Sequence, residues 1–474
     1  MDGRNKKAIL IFGLALLLLL AAVAVIFIVS GMSGSGRKAL APYNVALTFG
    51  DDPKTMKNVN WYTEKETSKT VVQYHEAAAG SGTGGSPRFD SSLASEAEGF
   101  SERIDTFRPE KGQEHSATAA LETVSVYRHG VYLTGLRPGT KYVYRAGDGS
   151  NWSAAGSFTT APDADPAGNN SFSFLIFSDM QGFIYSDYEL WGNVFEEGLE
   201  TCPDPAFMVN MGDFVELENN SAVWNYYFSQ AKGMNNLTTV PVTGNKDEKM
   251  LQKYFLLGSL EGVNALNGYY SFDYMNVHFT VLNTGDGNKD LSKSQLRWLQ
   301  KDLESDSARN AAYRIVMIHK APYSDRNHAD DIEIVQIRSQ VLPLFEQYNV
   351  DVVLEAHDHY YFRSVPVTGG GLAKAECEEN IVTRDGKNVT VYSPSAGRET
   401  IGGPVYFMHS SSGIKQHNKS FREMPEIIAA RSELLTNPTF CVCEVGEDGI
   451  FFHTYALDRY RLTVSTVESW GIKK

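Results

Sequence analysis

Five short apolar runs along this chain each lead into a residue that can bind a metal ion. The runs are FSFLIFS, AFMVNMG, TTVPVTG, YRIVMI and VDVVLEA, and the residues reached are Asp179, Asp213, Asn245, His319 and His357. Such runs, separated by helical stretches, are typical of buried strands in an α/β domain. Because sites in open α/β sheets form at the carboxyl ends of the strands, we expect these five ends to converge.

Each of these residues alone has an ordinary structural explanation. An aspartate or asparagine beside glycine is usually a turn residue, and a single histidine at a strand end is usually a satisfied polar group. Their recurrence at the same place in successive runs favours a common site instead. His359 follows His357 by two residues, so in an extended segment both side chains point to one face.

The residue types indicate which metals fit. Two aspartates, one asparagine and three histidines, with no thiolate, suit Fe, Mn or Zn. Six candidates exceed what one tetrahedral ion needs. A site with two metal ions and one bridging carboxylate uses all of them.

The region before the apolar runs has the pattern of an all-β domain. Residues 124–136 and 140–147 alternate apolar and polar positions around a Pro-Gly turn, and further strands are expected near Trp61 and over residues 70–77. A loop is expected over residues 80–88, and the polar stretch after it is also expected to be a loop. Short strands with turns between them predict a β-sandwich over residues 42–160.

A change of pattern separates the two predicted domains. The segment APDADPAGNN, residues 161–170, is typical of a linker. An α/β domain with a strand-rich end is predicted over residues 171–474.

The N-terminus has the pattern of a membrane segment. Residues 8–29 contain no charge and no proline, and a helix of that length would be roughly 33 Å long, enough to span a bilayer. The basic residues before it predict that residues 1–7 are cytoplasmic. Residues 30–41 are predicted to be a flexible spacer. The alternative is a cleaved signal peptide, and both interpretations place the rest of the chain outside the cytoplasm.

Charge and cysteine content exclude several classes of protein. The formal net charge is −14, whereas a nucleic-acid-binding protein needs a basic face, so no nucleic-acid surface is expected. The four cysteines are too few for a disulfide-dense scaffold or a cysteine-rich zinc module. The sequence gives no basis for an oligomeric state.

The order of the motifs resembles a known family. SDMQG contains Asp179, MGDF contains Asp213, GNKD contains Asn245, MIHKAPY contains His319, and AHDHYY contains His357 and His359. This series resembles the calcineurin-like metallophosphoesterases and, among them, the purple acid phosphatases. The pattern L-x-P-G-T-x-Y-x-Y at residues 136–144 is similar to fibronectin type III-like modules, which precede the catalytic domain in those phosphatases.

The resemblance implies a fold and an activity. After the N-terminal transmembrane helix, the fold would be a fibronectin type III-like all-β sandwich followed by an α/β metallophosphoesterase domain, with a β-sandwich core flanked by helices. The activity would be hydrolysis of a phosphate-ester substrate at two divalent or trivalent metal ions.

The resemblance also implies a ligand set and a further histidine. Asp179, Asp213 and His359 would hold one ion. The second ion would be held by Asp213, Asn245, His319 and His357. His328, nine residues after His319, would contact the substrate or donate a proton; the alternative is a solvated loop histidine.

Three positions depart from the family pattern. Gln181 replaces a histidine of many relatives and is a weaker metal ligand. Glu216 replaces the tyrosine of purple acid phosphatases, so no purple ferric site is expected; Glu216 is either an auxiliary ligand or a surface glutamate. Lys246 replaces a histidine, and a lysine binds phosphate as a point charge but is a poor proton donor at its ordinary pKa.

Two functions therefore remain open from the sequence. The first is a membrane-anchored, extracytoplasmic phosphoesterase. The second is a degenerate metallophosphoesterase that acts as a cell-surface binding module with weak or no catalysis. Lys246 and Gln181 favour the second, and the six retained candidate ligands favour the first.

Overall fold

A computed structural model describes most of the chain after the N-terminal segment. The described residues are 39–78, 87–113, 116, 118–258, 267–285, 290–324, 328–369, 373–416, 427–431 and 436–474. The predicted membrane segment, residues 8–29, lies outside them. Within these ranges no helix is both long and apolar enough to cross a membrane.

The N-terminal domain is an antiparallel β-sandwich of two four-stranded sheets, as predicted. Its strands are β1 (Tyr43–Phe49), β2 (Lys57–Thr63), β3 (Val71–Glu76), β4 (Ser95–Glu98), β5 (Phe100–Pro109), β6 (Leu121–Leu133), β7 (Lys141–Gly147) and β8 (Gly156–Thr159). One sheet has the order β1-β2-β6-β5 and the other β4-β3-β7-β8. Trp61, Val131 and Tyr144 are buried between the sheets.

Strands β4 and β5 correct one prediction, because they occupy the polar stretch that we expected to be a loop. β5 pairs with β6 along its whole length. Ile104 and Thr106 are buried, while Arg103, Asp105 and Phe107 at the alternate positions are exposed. A strand with one solvated face needs apolar residues only at alternate positions. Because β5 has so few buried side chains, the polar residues of its outer face hide the alternating apolar pattern in the sequence.

The second domain is built on two mixed sheets. Its strands are β9 (Phe172–Phe177), β10 (Met208–Asn210), β11 (Thr239–Pro241), β12 (Tyr270–Tyr274), β13 (Val277–Leu282), β14 (Tyr313–Lys320), β15 (Val352–Ala356), β16 (Tyr361–Ser364), β17 (Val367–Thr368), β18 (Ala373–Lys374), β19 (Cys377–Arg384), β20 (Lys387–Pro394), β21 (Val405–His409), β22 (Ile428–Arg431), β23 (Thr439–Gly446), β24 (Gly449–Leu457) and β25 (Val464–Ile472). One sheet has the order β11-β10-β9-β23-β24-β25-β20-β19, and the other β12-β13-β14-β15-β21-β16-β22. Strands β17 and β18 form a separate hairpin.

Helices cover the outer faces of both sheets. They are α1 (Tyr185–Thr201), α2 (Ser221–Gln230), α3 (Leu251–Tyr254), α4 (Lys293–Leu303), α5 (Asp306–Asn310) and α6 (Ile332–Gln347). Trp191 of α1 packs on Phe177 of the first sheet, with ring centroids 5.0 Å apart. Leu299 of α4 and Ile337 of α6 pack with Val316 of the second sheet. The domain is therefore an α/β fold with a two-sheet core between helices.

Polar side chains of β2 attach the sandwich to the second domain. Asn58 donates to the carbonyl of Leu256 at 3.0 Å, and Asn60 donates to the carbonyl of Tyr254 at 3.0 Å. All four of these residues are buried. A buried polar side chain is costly unless it is bonded, so these contacts hold the segment after residue 245 firmly against the sandwich.

Candidate metal centre

The predicted site residues lie at the carboxyl ends of five strands. Asp179, Asp213 and Asn245 follow β9, β10 and β11, which are parallel neighbours in the first sheet. His319 is the penultimate residue of β14 and His357 directly follows β15, and these two strands are parallel neighbours in the second sheet. Parallel strands present their carboxyl ends at one edge, so the facing sheets bring all five residues to one place.

Four of the candidate ligands have a left-handed backbone. The φ angles are 50° at Asp179, 52° at Asp213, 77° at His357 and 54° at His359. Such a φ costs a non-glycine residue about 1–2 kcal/mol. Residues held in this conformation cluster at functional sites, where the surrounding structure fixes them. In this chain, four such residues lie together at the candidate centre.

The side chains form two groups that share Asp213. Asp179, Asp213 and His359 have ligand atoms within 4.8 Å of one another, and so do Asp213, His319 and His357. Asn245 joins the second group, because its Oδ1 lies 3.1 Å from His319 Nε2. These are the two sets that the family resemblance implies. Their binding of metal stays a prediction.

The second group contains acceptor atoms that face one another. His319 Nδ1 donates to the carbonyl of Met211 at 2.8 Å, so in the neutral ring Nε2 carries the lone pair. That lone pair faces Asn245 Oδ1 at 3.1 Å and Asp213 Oδ1 at 3.4 Å. Convergent lone pairs without a proton between them repel one another, and a cation among them removes the repulsion.

The first group contains an orphaned oxygen. Asp179 Oδ2 accepts from Ser178 Oγ at 2.5 Å and from the backbone N–H of His357 at 3.3 Å. Asp179 Oδ1 is buried without a hydrogen bond from any described residue, and His359 Nε2 lies 3.3 Å from it. A buried carboxylate oxygen of this kind is normally bonded or bound to a cation. The residues present therefore fit a metal ion.

The pKa values of these groups reflect their burial and their closeness to one another. Burial is the largest cause that holds the pKa of His357 well below its ordinary value. Neutral imidazole is the form that binds metals. Burial and the charge of Asp179 raise the pKa of Asp213. Burial also opposes ionisation of Asp179, but His359 outweighs it and lowers the pKa of that carboxyl.

Glycines in the Gly-Asp motif and the Gly-Asn motif allow the loops of Asp213 and Asn245 to approach each other. A Cβ added at Gly244 would lie 2.2 Å from the backbone nitrogen of Asp213 and 2.3 Å from its Oδ1. A Cβ at Gly212 would lie 2.6 Å from His319 Nδ1. A side chain at either position would displace a candidate ligand.

Asp247 is a site residue that sequence reasoning missed, although it lies in the GNKD motif. Its Oδ1 accepts the backbone N–H of Gly244 at 2.9 Å, and its Oδ2 accepts that of Phe214 at 2.6 Å. One buried carboxylate thus joins the loop of Asp213 to the loop of Asn245. Asp247 therefore positions the two loops that carry these candidate ligands.

Gln181 lies inside the first group. Its Nε2 is 3.3 Å from both Asp213 Oδ2 and His359 Nε2. Its Oε1 is buried and has no hydrogen bond with any residue in the described ranges. The amide therefore occupies the position at which an auxiliary ligand is expected.

Glu216 belongs to neither of the two groups, and it is not a free surface glutamate. Its Oε1 lies 3.3 Å from Lys246 Nζ, and its Oε2 accepts a hydrogen bond from Lys415 Nζ. The Glu216 side chain is 13% exposed. Lys415 had no sequence signal, because it lies in a loop after β21 far along the chain.

His328 lies beside the second group. Its ring centroid is 4.5 Å from that of His357, and its Nδ1 is 2.6 Å from Asp331 Oδ2. Both histidines line a cavity of about 530 Å³, together with Asn245 and Asp331. Two interpretations of His328 were open, a residue that contacts the substrate and a solvated loop histidine. Its position in this cavity favours the first.

Comparisons with known proteins agree with this architecture. Residues 42–160 match the family model of the purple acid phosphatase N-terminal domain, and residues 172–361 match that of the calcineurin-like phosphoesterases. Acid phosphatase type 7 of Danio rerio is 25% identical over 370 residues, which cover 68% of this chain and 75% of that protein. Purple acid phosphatase 21 of Arabidopsis thaliana is 25% identical over 252 residues, which cover 50% of this chain and 54% of that protein.

Solved structures show the same fold. A purple acid phosphatase from seeds of yellow lupin (Lupinus luteus) superposes with a TM-score of 0.69 at 15% identity. The superposition covers 91% of this chain and 74% of the lupin chain. The sandwich and the α/β domain therefore have a counterpart in a single solved protein.

Proposed function

This chain belongs to the calcineurin-like metallophosphoesterases and carries the N-terminal domain of purple acid phosphatases, and we propose that it hydrolyses phosphate esters at a centre of two metal ions. The observation that carries the proposal is the pair of ligand groups that share Asp213. Asp179 and His359 complete the first group, and Asn245, His319 and His357 complete the second. Two bound cations would supply an activated water and would stabilise negative charge on the phosphoryl oxygens.

The residues around the centre have separate tasks in this proposal. Met211 fixes the ring of His319 through its carbonyl, which keeps Nε2 directed at the centre. Lys246, where relatives carry a histidine, binds the phosphoryl group through its positive charge. His328 donates a proton to the leaving group from Nε2, while Asp331 holds Nδ1.

Hydrolysis of phenyl phosphate by the purified full chain tests this function. We expect hydrolysis that depends on added Mn, Fe or Zn and that is abolished in Asp213→Asn. The matched control is Asp204→Asn, an exposed aspartate of the same domain, which should retain activity. A protein that binds metal but hydrolyses no ester would instead be the binding module considered above.

We also propose that the catalytic domain acts outside the cytoplasm, anchored by residues 8–29. The support is the uncharged segment itself and the basic residues before it. An anchored protein stays with membranes after a high-salt wash, and protease applied to intact cells releases its catalytic part. A mature chain that begins near residue 30 would indicate a cleaved signal.

A double variant provides the control for location. Leu17→Arg with Leu19→Arg places two charges in the segment, and each costs about 2.5–3.5 kcal/mol at the centre of a membrane helix. We expect this variant to resist external protease because it remains inside the cell. Equal cleavage of both proteins would contradict the proposal.

A further inference from the structure

Two lysines from distant parts of the chain meet on one carboxylate at the edge of the candidate centre. Lys246 follows Asn245, and its backbone N–H donates to Asp213 Oδ1 at 2.9 Å. Lys415 lies in the loop after β21, and both ammonium groups contact Glu216. Lys246 and Lys415 are called the lysine pair below.

The loop that carries Lys415 is itself fixed to the centre. Ser411 Oγ donates to the carbonyl of Asp179 at 2.7 Å, and Ser412 N–H donates to the carbonyl of Ser178 at 2.6 Å. A Cβ added at Gly413 would lie 2.7 Å from Met180 Cα, so the two segments are in close contact. Lys415 is therefore held at a defined position two residues after this contact.

The charges of this cluster do not balance. Glu216 supplies one negative charge against the two positive charges of the lysine pair. Each ammonium has three N–H donors, and Glu216 is the only acceptor within reach of either one in the described part of the chain. The side chains of Lys246 and Lys415 are 37% and 28% exposed. The pair thus keeps one net positive charge and free donors at the edge of the site.

An apolar surface lies next to the lysine pair. The ring of Phe183 is 40% exposed, and Lys415 Nζ lies 5.9 Å from its centroid. Beyond His357 and His328, the cavity is of mixed charge, because Lys320 lines it together with Asp331 and Glu333, and Lys320 Nζ lies 3.7 Å from Glu333 Oε1. The unbalanced positive charge is therefore on the side of the lysine pair.

We propose that Lys415 of the lysine pair and Phe183 form a subsite for a second anionic group, a carboxylate or a phosphate, on the part of the substrate that is not transferred, while Lys246 contacts the transferred phosphoryl group. This inference rests on the proposed function, because it requires a phosphoryl group at the centre. Glu216 is a positioning residue that holds both ammonium groups through its two carboxylate oxygens. The subsite selects phosphate esters whose leaving group carries its own negative charge.

Binding of phosphonates to the full chain, loaded with zinc, tests the subsite without requiring turnover. The probes are 4-carboxybenzylphosphonate and its neutral analogue 4-carbamoylbenzylphosphonate, measured by titration calorimetry. We expect the carboxylate to bind about tenfold more tightly, as charge-assisted hydrogen bonds are the stronger class. A bisphosphonate, 4-(phosphonomethyl)benzylphosphonate, tests a phosphate-like group in place of the carboxylate. The probe whose affinity exceeds that of the neutral analogue by the larger factor carries the preferred anionic group.

The variants assign the effect to Lys415. The ratio compared is the affinity for the carboxylate probe over the affinity for its carbamoyl analogue. In Lys415→Ala this ratio should fall to about one, whereas Lys415→Arg should keep most of it. Lys69→Ala removes a lysine of the sandwich that pairs with Glu98 and should leave the ratio unchanged. A ratio near one in the wild type, a ratio that survives in Lys415→Ala, or no phosphonate binding at all overturns the inference.

This readout is distinct from that of the proposed function. If the expected ratios are found and phenyl phosphate is not hydrolysed, the subsite stands and the proposed hydrolysis fails. If phenyl phosphate is hydrolysed and the ratio is near one, the hydrolysis stands and the subsite fails.

Discussion

Lys246 Nζ lies 3.3 Å from Glu216 Oε1, so residues from the loops after β11 and β10 form an ion pair. In the sequence they are 30 positions apart and were considered separately. Their contact means that the lysine is held in place beside Asn245. A lysine fixed by a carboxylate is suited to binding a phosphoryl group as a positive charge.

The first prediction concerns the replacement Lys246→His. Histidine is the better proton donor near neutral pH, so the rate on alkyl esters should rise more than the rate on aryl esters. A gain of about tenfold corresponds to about 1.4 kcal/mol of barrier. The measurement is kcat/KM for both ester types at equal metal content.

Glu216→Gln is the control for this replacement, because it removes the ion pair and keeps the lysine. It should not change the preference between alkyl and aryl esters. If Lys246→His lowers the rate on both ester types, lysine is an adapted catalytic group and our view of its role is wrong.

The second prediction concerns His328. His328→Gln removes the proposed proton donor, so kcat/KM for alkyl esters should fall about 100-fold, the size usual for general acid catalysis. Aryl esters should lose less, since a phenolate leaves without a proton. Asp331→Asn keeps the imidazole and should have a smaller effect. Equal losses on both ester types would show that His328 only binds the substrate.

The third prediction concerns stability and pH. His278, which is 3% exposed, lies 2.7 Å from Asp273 Oδ1 and 3.1 Å from Asp302 Oδ2. Burial opposes the charged ring, but hydrogen bonds with the two carboxylates outweigh it and raise the pKa of His278 to about 9. The stability that this gives is fully present below pH 6.5, the ordinary pKa, and is lost as the pH rises through about 9.

The free energy of unfolding should therefore fall between pH 7 and pH 9.5, by at most about 3 kcal/mol from this group. His278→Gln should remove that part of the decrease. Denaturant unfolding of both proteins across this range measures the difference. The idea fails if the two curves have the same dependence on pH.

Much of the fold was predictable because its signals are local. The strand-end positions of Asp179, Asp213 and His319 follow from apolar runs that are short and continuous. The sandwich follows from alternating residues around a Pro-Gly turn. Strand β5 was missed because only Ile104 and Thr106 among its residues are fully buried.

The parts of the site that were not predictable come from long-range contacts. Lys415 meets Glu216 across 199 positions, and no pattern near either residue indicates the contact. Asp247 was adjacent to a recognised motif, but its task is to bond the backbone of Gly244 and Phe214. A sequence shows a carboxylate and does not show which backbone amides it faces.

Metal content of the purified full chain tests the central claim most directly. Because Asp213 belongs to both ligand groups, its loss should weaken both metal sites together. Elemental analysis after equilibration with a slight excess of zinc or manganese should give two ions per chain for the wild type and for Asp204→Asn, and fewer than one for Asp213→Asn. A wild-type protein that holds one ion or none, or an Asp213→Asn variant that still holds two, would contradict a centre of two metals bridged by this aspartate.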